Sequence, residues 1–155
     1  MNLNIPYMET DNKLLNDAYR IAAGDIVGNI VYYQNGLLTE EKPCMIAGLD
    51  YNTPWTRDTA INIWNALSIL SPEVSKNTLL AALEEEEGNI YIGGQYWDSI
   101  IWMIGAREYC RFHKDDNFYR LAFEAGRNSV HRLEDDEFDE EDGLFRGPAV
   151  YGDGI

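Results

Sequence analysis

Positive charge is scarce in this sequence. It contains 12 lysine and arginine residues against 27 aspartate and glutamate residues, which gives a formal net charge of −15. A surface this acidic repels phosphate groups, so we expect neither nucleic acid nor an anionic membrane as a partner. A neutral or cationic ligand fits this charge better.

Cysteine and long apolar runs are also scarce. Cys44 and Cys110 are too few for a disulfide framework or a zinc site, so we expect two free thiols. No stretch approaches the roughly 18 to 20 apolar residues of a membrane-spanning helix. The first residues contain neither the basic segment nor the apolar run of a secretory signal. Composition leaves both a cytoplasmic and a secreted parent protein open.

Several common site motifs are missing as well. His113 and His131 have neither zinc-ligand spacing nor the spacing of a Ser-His-Asp triad, and Gly93-Gly94 lacks the Lys and Ser/Thr of a phosphate-binding loop. The acidic run from Asp135 to Asp142 lacks the spacing and glycine of an EF-hand. We therefore predict no metal site and no cofactor.

The residues that are abundant predict a globular helical chain. Hydrophobic residues make up 45% and aromatic residues 12%, which supports one core and a single domain over residues 1–155. Apolar residues recur at helical spacing, and Asn89–Ile92 is the only plausible short strand, so the predicted fold class is all-α. The predicted helices are Asp11–Gln34, Asp58–Leu70, Pro72–Glu86, Asp98–Phe112 and Asp115–Leu133.

The apolar pattern differs between alternate helices. The first, third and fifth are amphipathic, whereas the second and fourth are apolar nearly all round. Alternating outer and inner helices, arranged as hairpins, explain this pattern. We expect the two apolar helices to be buried on most sides.

Polar and aromatic residues cluster just before the predicted inner helices. The clusters are Trp55–Asp58, Gln95–Asp98 and Asp142–Asp153, the last preceding a possible sixth helix. Helix N-termini offer free N–H groups and positive partial charge, so these clusters suit hydroxyl-rich ligands if they meet at one end of the molecule. Ordinary capping by Asp58 or Asp98, and a simple ion pair for Arg57, stay open as alternatives.

These clusters contain the residue types needed to bind and cleave a glycoside. The planar donors of Arg57 can hold neighbouring hydroxyls. Aromatic rings can stack on sugar faces, although each could equally lie in the core. Cleavage requires a carboxylic acid that protonates the leaving oxygen, and Asp142 and Asp153 lie in a glycine-rich segment suited to close approach. The expected substrate-binding residues are Tyr51, Trp55, Arg57, Asp58, Gln95, Trp97, Asp98 and Tyr151.

The segment Pro54-Trp55-Thr56-Arg57-Asp58 resembles the sugar-binding motif of the six-hairpin glycosidases, whose catalytic domain is an (α/α)6 toroid. The resemblance implies that Arg57 and Asp58 hold sugar hydroxyls in subsite −1 and that Tyr51 and Trp55 form its wall. It places the general acid after the fifth helix, at Asp153 or, second, at Asp142. It also implies an inverting reaction on an oligosaccharide or glycoside.

In that family the catalytic base follows a later helix, so no residue of this sequence receives the role. Five helices cannot close a ring of six hairpins, and we expect the chain to be the first half of such a domain, inactive by itself. Apolar faces left without neighbours would then favour self-association. The alternatives are a non-catalytic helical module that binds a glycan or a protein, and a purely structural helical repeat.

Overall fold

The computed structural model describes residues 5–48, 50–95 and 97–146. Helices account for 56% of the structure, so the chain is predominantly helical. The helices are α1 (Lys13–Gly28), α2 (residues 56–70), α3 (Pro72–Ala81), α4 (Asp98–Phe112) and α5 (Asp116–Glu137). Three antiparallel two-stranded hairpins join β1 (Ile30–Tyr33) to β2 (Lys42–Met45), β3 (Leu83–Glu86) to β4 (Asn89–Ile92), and β5 (Phe138–Asp139) to β6 (Leu144–Phe145).

The predicted first helix was too long at its C-terminal end. The helix stops at Gly28, and Ile30–Tyr33 forms a strand in which Val31 lies opposite Cys44. The sequence Ile-Val-Tyr-Tyr is β-branched and aromatic, and such residues favour a strand wherever a partner strand is available. The all-α prediction was therefore wrong in this segment.

The predicted third helix was also too long. It begins as expected, with the Ser71 hydroxyl accepting a hydrogen bond from the Val74 N–H and with proline at the first helical position. It ends at Ala81, however, because residues 83–86 pair with Asn89–Ile92 through a turn at Glu87 and Gly88, both with positive φ. The predicted strand at Asn89–Ile92 is confirmed.

Helices α2 and α4 cross closely and form the centre of the molecule. A Cβ atom on Gly105 would lie 2.8 Å from the Ala60 Cα, so only glycine allows this approach. Ile63 and Leu67 of α2 are fully buried beside Trp102 of α4, whose indole N–H donates to the Leu79 carbonyl oxygen over 3.3 Å. Helix α2 widens into a π-helix over Ile63–Leu67, where these buried side chains lie.

The outer surface of this centre is less covered than predicted. Ile61, Trp64 and Ile69 of α2 and Ile100 and Ile104 of α4 are exposed, because no described element packs on those sides. Helix α1 has no buried residue at all. The expectation of burial on most sides was wrong for these positions, whereas the expectation of exposed apolar faces is confirmed.

The remaining helix predictions agree closely with the structure. Helix α4 has the predicted bounds, and α5 begins one residue after its predicted start and ends four residues later than predicted. The Asp115 carboxylate caps α5 by accepting from the Phe118 N–H over 3.0 Å. No helix among the described residues is long and apolar enough to cross a membrane.

Candidate functional site

The first turns of α2 and α4 meet through an ion pair between Arg57 and Asp98. The Arg57 Nε lies 2.9 Å from the Asp98 Oδ1, and the two side chains are 22% and 7% exposed. These residues are 41 positions apart in the sequence. The crossing of the two helices therefore brings together two of the predicted clusters.

The second oxygen of Asp98 orders the loop before its own helix. Asp98 Oδ2 accepts a hydrogen bond from the Gln95 N–H over 3.0 Å. Gly94 has φ +114°, and a Cβ atom there would lie 2.9 Å from both the Asp98 Cβ and the Thr56 Oγ1. Glycine at this position thus allows the loop to approach both helix ends closely.

One aromatic ring lies against the cation of this ion pair, and another lines the space beside it. The guanidinium carbon of Arg57 lies 4.9 Å from the centroid of the Trp97 ring. Trp55 and Tyr51 are in edge-to-face contact, with centroids 6.3 Å apart, and both are about half exposed. Exposed aromatic faces beside a charged pair are uncommon in a core and typical of a ligand-binding surface.

A cavity of about 200 Å³ lies against this group. Four predicted site residues, Trp55, Arg57, Gln95 and Asp98, line it. Its other lining residues include Asn35 and Glu84, which sequence reasoning had not assigned to the site. Side chains alternate between the two faces of a strand. A strand predicted to begin at Leu83 would therefore have placed Glu84 on the face opposite the buried Leu83. We call this cavity the Arg57 cavity.

Four other predicted site residues are described but do not line this cavity: Tyr51, Asp58, Trp97 and Asp142. Asp58 is exposed in the first turn of α2 and is absent from the cavity lining; the N-cap of α2 is Trp55, so the capping role considered for Asp58 was wrong. Asp142 is exposed in the turn of the β5–β6 hairpin, 3.3 Å from Arg146, and does not line the cavity. Tyr151 and Asp153 lie outside the described residues.

A second, larger cavity of about 490 Å³ lies between the β3–β4 hairpin and the C-terminal half of α5. The Arg132 guanidinium covers the ring of Tyr91, with its carbon 3.4 Å from the ring centroid, and Arg132 Nη2 lies 2.6 Å from Glu86 Oε2. The hydrogen bond that Arg132 donates to Glu86 raises the pKa of Arg132 above its ordinary value. We call this space the Arg132 cavity.

The two thiols are poor nucleophiles. Burial raises the pKa of Cys44 to about 12, and it raises the pKa of Cys110 as well. Both are free, as predicted. Across residues 5–48, 50–95 and 97–146, no group of three His, Cys, Asp or Glu side chains is arranged to hold a metal ion.

Comparisons with family models, curated proteins and solved structures find no match to this chain. The features that bear on function are therefore the geometry of the two cavities and the sequence motif around Arg57.

Proposed function

We propose that this chain carries the sugar-binding part of a glycoside hydrolase built as an (α/α)6 toroid. The observation that carries the proposal is the Arg57 cavity, in which the Arg57 guanidinium, the Asp98 carboxylate and the exposed ring of Trp55 line one small space. In the proposed toroid, α2 and α4 are inner helices and their first turns face the substrate.

The chemistry of the cavity suits a pyranose ring. The carboxylate of Asp98 accepts hydrogen bonds only, whereas the guanidinium of Arg57 carries five N–H donors in a fixed fork. Sugars present alternating hydroxyl donors and acceptors around an apolar face. Trp55 offers that face an exposed ring.

The carboxylates divide into a binding and a catalytic role in this proposal. Asp98 accepts hydrogen bonds from the Arg57 Nε and the Gln95 N–H, which suits a fixed hydrogen-bond acceptor. The general acid is assigned to Asp153, with Asp142 as the second choice, and no residue of this sequence is assigned the role of catalytic base. We therefore expect the chain alone to bind saccharides without hydrolysing them.

Binding can be tested by titrating the purified chain with a panel of glucose, mannose and glucosamine saccharides, followed by calorimetry. Arg57→Lys keeps the charge but loses the planar fork, and hydrogen bonds to charged groups contribute about 1.5 to 3 kcal/mol, so affinity should fall by about tenfold to a hundredfold. Arg20→Lys is the matched control, because Arg20 lies exposed on α1, away from the Arg57 cavity. Equal losses in both variants, or no binding to any saccharide, would contradict the proposal.

A non-catalytic glycan-binding module is the second candidate, favoured by one observation. Asp142 lies outside the wall of the Arg57 cavity. The two candidate functions can be distinguished by experiment in a protein that contains the complete proposed toroid. The glycosidase requires hydrolysis that Asp153→Asn abolishes while saccharide binding remains, whereas a binding module shows binding and no hydrolysis in either form.

A further inference from the structure

The Arg57 cavity and the Arg132 cavity adjoin. Glu84, Gly93, Gly94 and Gln95 line both of them. The two spaces therefore adjoin at the loop of residues 93–95. We infer that together they form one cleft, from Trp55 to the end of α5, and that this cleft binds an oligosaccharide of at least two units that is neutral or amino-bearing, an inference that rests on the proposed function.

The sizes of the two spaces support an extended ligand. Pockets for small ligands range from about 300 to 1,000 Å³. The Arg57 cavity, at about 200 Å³, is smaller than this range, whereas the adjoining Arg132 cavity adds about 490 Å³. One sugar unit at Arg57 thus leaves room for its neighbour across the loop at residues 93–95.

The Arg132 cavity has polar groups where that neighbouring unit would lie. Its wall includes Gln95, Ser99 and Ser129, of which Ser129 already holds the β4 backbone by accepting from the Ile92 N–H over 2.8 Å. The Tyr91–Arg132 stack forms a rigid flat surface in the same cavity. A sugar ring has an apolar face and hydroxyl groups around it. A flat surface flanked by amide and hydroxyl groups can contact both.

The charge of the wall selects the class of sugar. Glu84, Asp136 and Glu137 line the Arg132 cavity and have no ion-pair partner in the part of the chain that the structure describes. The cation in the wall, Arg132, is already engaged by the Glu86 carboxylate. A uronic acid or sulfated unit would be repelled here, while a hydroxyl or ammonium group would be accepted.

The inference predicts that affinity depends on saccharide length and charge. Calorimetric titration with mono-, di- and trisaccharides of glucose, mannose and glucosamine should show at least about a tenfold gain from one unit to the longer members of one series. Oligomers of galacturonic acid should bind more weakly than neutral oligomers of equal length. The same affinity for one unit as for three, or tighter binding of the uronic oligomers, would overturn the inference.

A blocking variant tests the location. Asp136→Trp places a large ring at an exposed position on the edge of the Arg132 cavity and should remove the gain with length while leaving monosaccharide affinity unchanged. Glu134→Trp is the matched control, since Glu134 is exposed on the same helix and lines neither cavity. A length gain that survives Asp136→Trp would overturn the extended cleft while leaving sugar binding at Arg57 intact. Loss of monosaccharide binding in Arg57→Lys, by contrast, tests only the proposed function.

Discussion

Two partly buried ion pairs link helices in this molecule, and they look alike when seen alone. Arg57 Nε and Asp98 Oδ1 are 2.9 Å apart and join α2 to α4. Lys76 Nζ and Asp115 Oδ2 are 2.6 Å apart and join α3 to the start of α5. Each pair combines one residue near a helix N-terminus with a partner about forty positions away.

The surroundings of the two pairs differ. Arg57 and Asp98 border a cavity beside aromatic rings and a loop that only glycine permits. Asp115 instead caps α5, and its hydrogen bond from Lys76 holds its pKa below the ordinary value. In the proposed function the first pair contacts a ligand, whereas the second pair fixes the start of α5. An ion pair by itself therefore does not indicate a binding site. The cavity, rings or helix end beside the pair decide how it is interpreted.

The largest predicted effect concerns the helix crossing that positions the first pair. Gly105→Ala places a Cβ atom 2.8 Å from the Ala60 Cα and 3.1 Å from the Ala60 carbonyl oxygen, backbone atoms that cannot turn away. Forcing extra volume into a packed interface costs about 1 to 3 kcal/mol of unfolding free energy, and saccharide binding at Arg57 should weaken in parallel. Urea denaturation and calorimetry measure the two effects.

The control for this prediction is a glycine in an open position. An added Cβ at Gly24 of α1 meets nothing within 4 Å. Gly24→Ala should therefore leave binding unchanged and stabilise the chain by up to about 1 kcal/mol through higher helix propensity. If Gly105→Ala behaved like Gly24→Ala, the close crossing would not be what positions Arg57 and Asp98.

The next prediction, confined to stability, separates the two ion pairs directly. Double-mutant cycles with Arg57→Ala and Asp98→Ala, and with Lys76→Ala and Asp115→Ala, isolate each pairwise term from the cap and packing losses. The Arg57–Asp98 pair is the more buried, so its coupling should be about 1.5 to 3 kcal/mol, the range for hydrogen bonds to charged groups.

The Lys76–Asp115 pair is more exposed to water. Its side chains are 37% and 23% exposed, which predicts a coupling of only about 0.2 to 1 kcal/mol. Urea unfolding of the single and double variants measures both values. Equal coupling in the two cycles would show that the difference in burial has no energetic consequence.

Much of the helical part of the fold could be predicted from local patterns. Ser71-Pro72 and the apolar run after Asp98 mark helix starts within a residue or two, because capping and periodicity are local. The strands after α1 and α3 could not be predicted. Ile30–Tyr33 and Leu83–Glu86 continue a helical pattern, and their conformation is decided by partner strands that follow in the chain.

The same limit applies to the candidate site. The cluster around Arg57 stood out because several ligand-binding residue types are adjacent in the sequence. Glu84 was missed, because it enters the cavity wall only through the β3–β4 hairpin. The pairing of Arg57 with Asp98 depends on how α2 crosses α4, and no local pattern encodes that crossing.

The smallest predicted effect is a pH dependence of the unfolding free energy that comes from the Lys76–Asp115 pair. The Lys76 hydrogen bond, the Phe118 N–H and the Lys76 charge lower the pKa of Asp115 from its ordinary value of 3.8. A carboxylate whose pKa is lowered in the folded state stabilises that state fully at pH values above the pKa of the unfolded chain. This contribution disappears as pH falls through the pKa of the folded state.

Asp115→Asn keeps a good N-cap, so it removes mainly the charge contribution, a few tenths of a kcal/mol to about 1 kcal/mol. The stability difference between the wild type and Asp115→Asn should be constant near neutral pH and should shrink below pH 3.8, as urea unfolding at a series of pH values would measure. A difference that persists unchanged at the acid end would show that the charge of Asp115 does not cause it, and the contrast with Arg57–Asp98 would then not be one between two ion pairs.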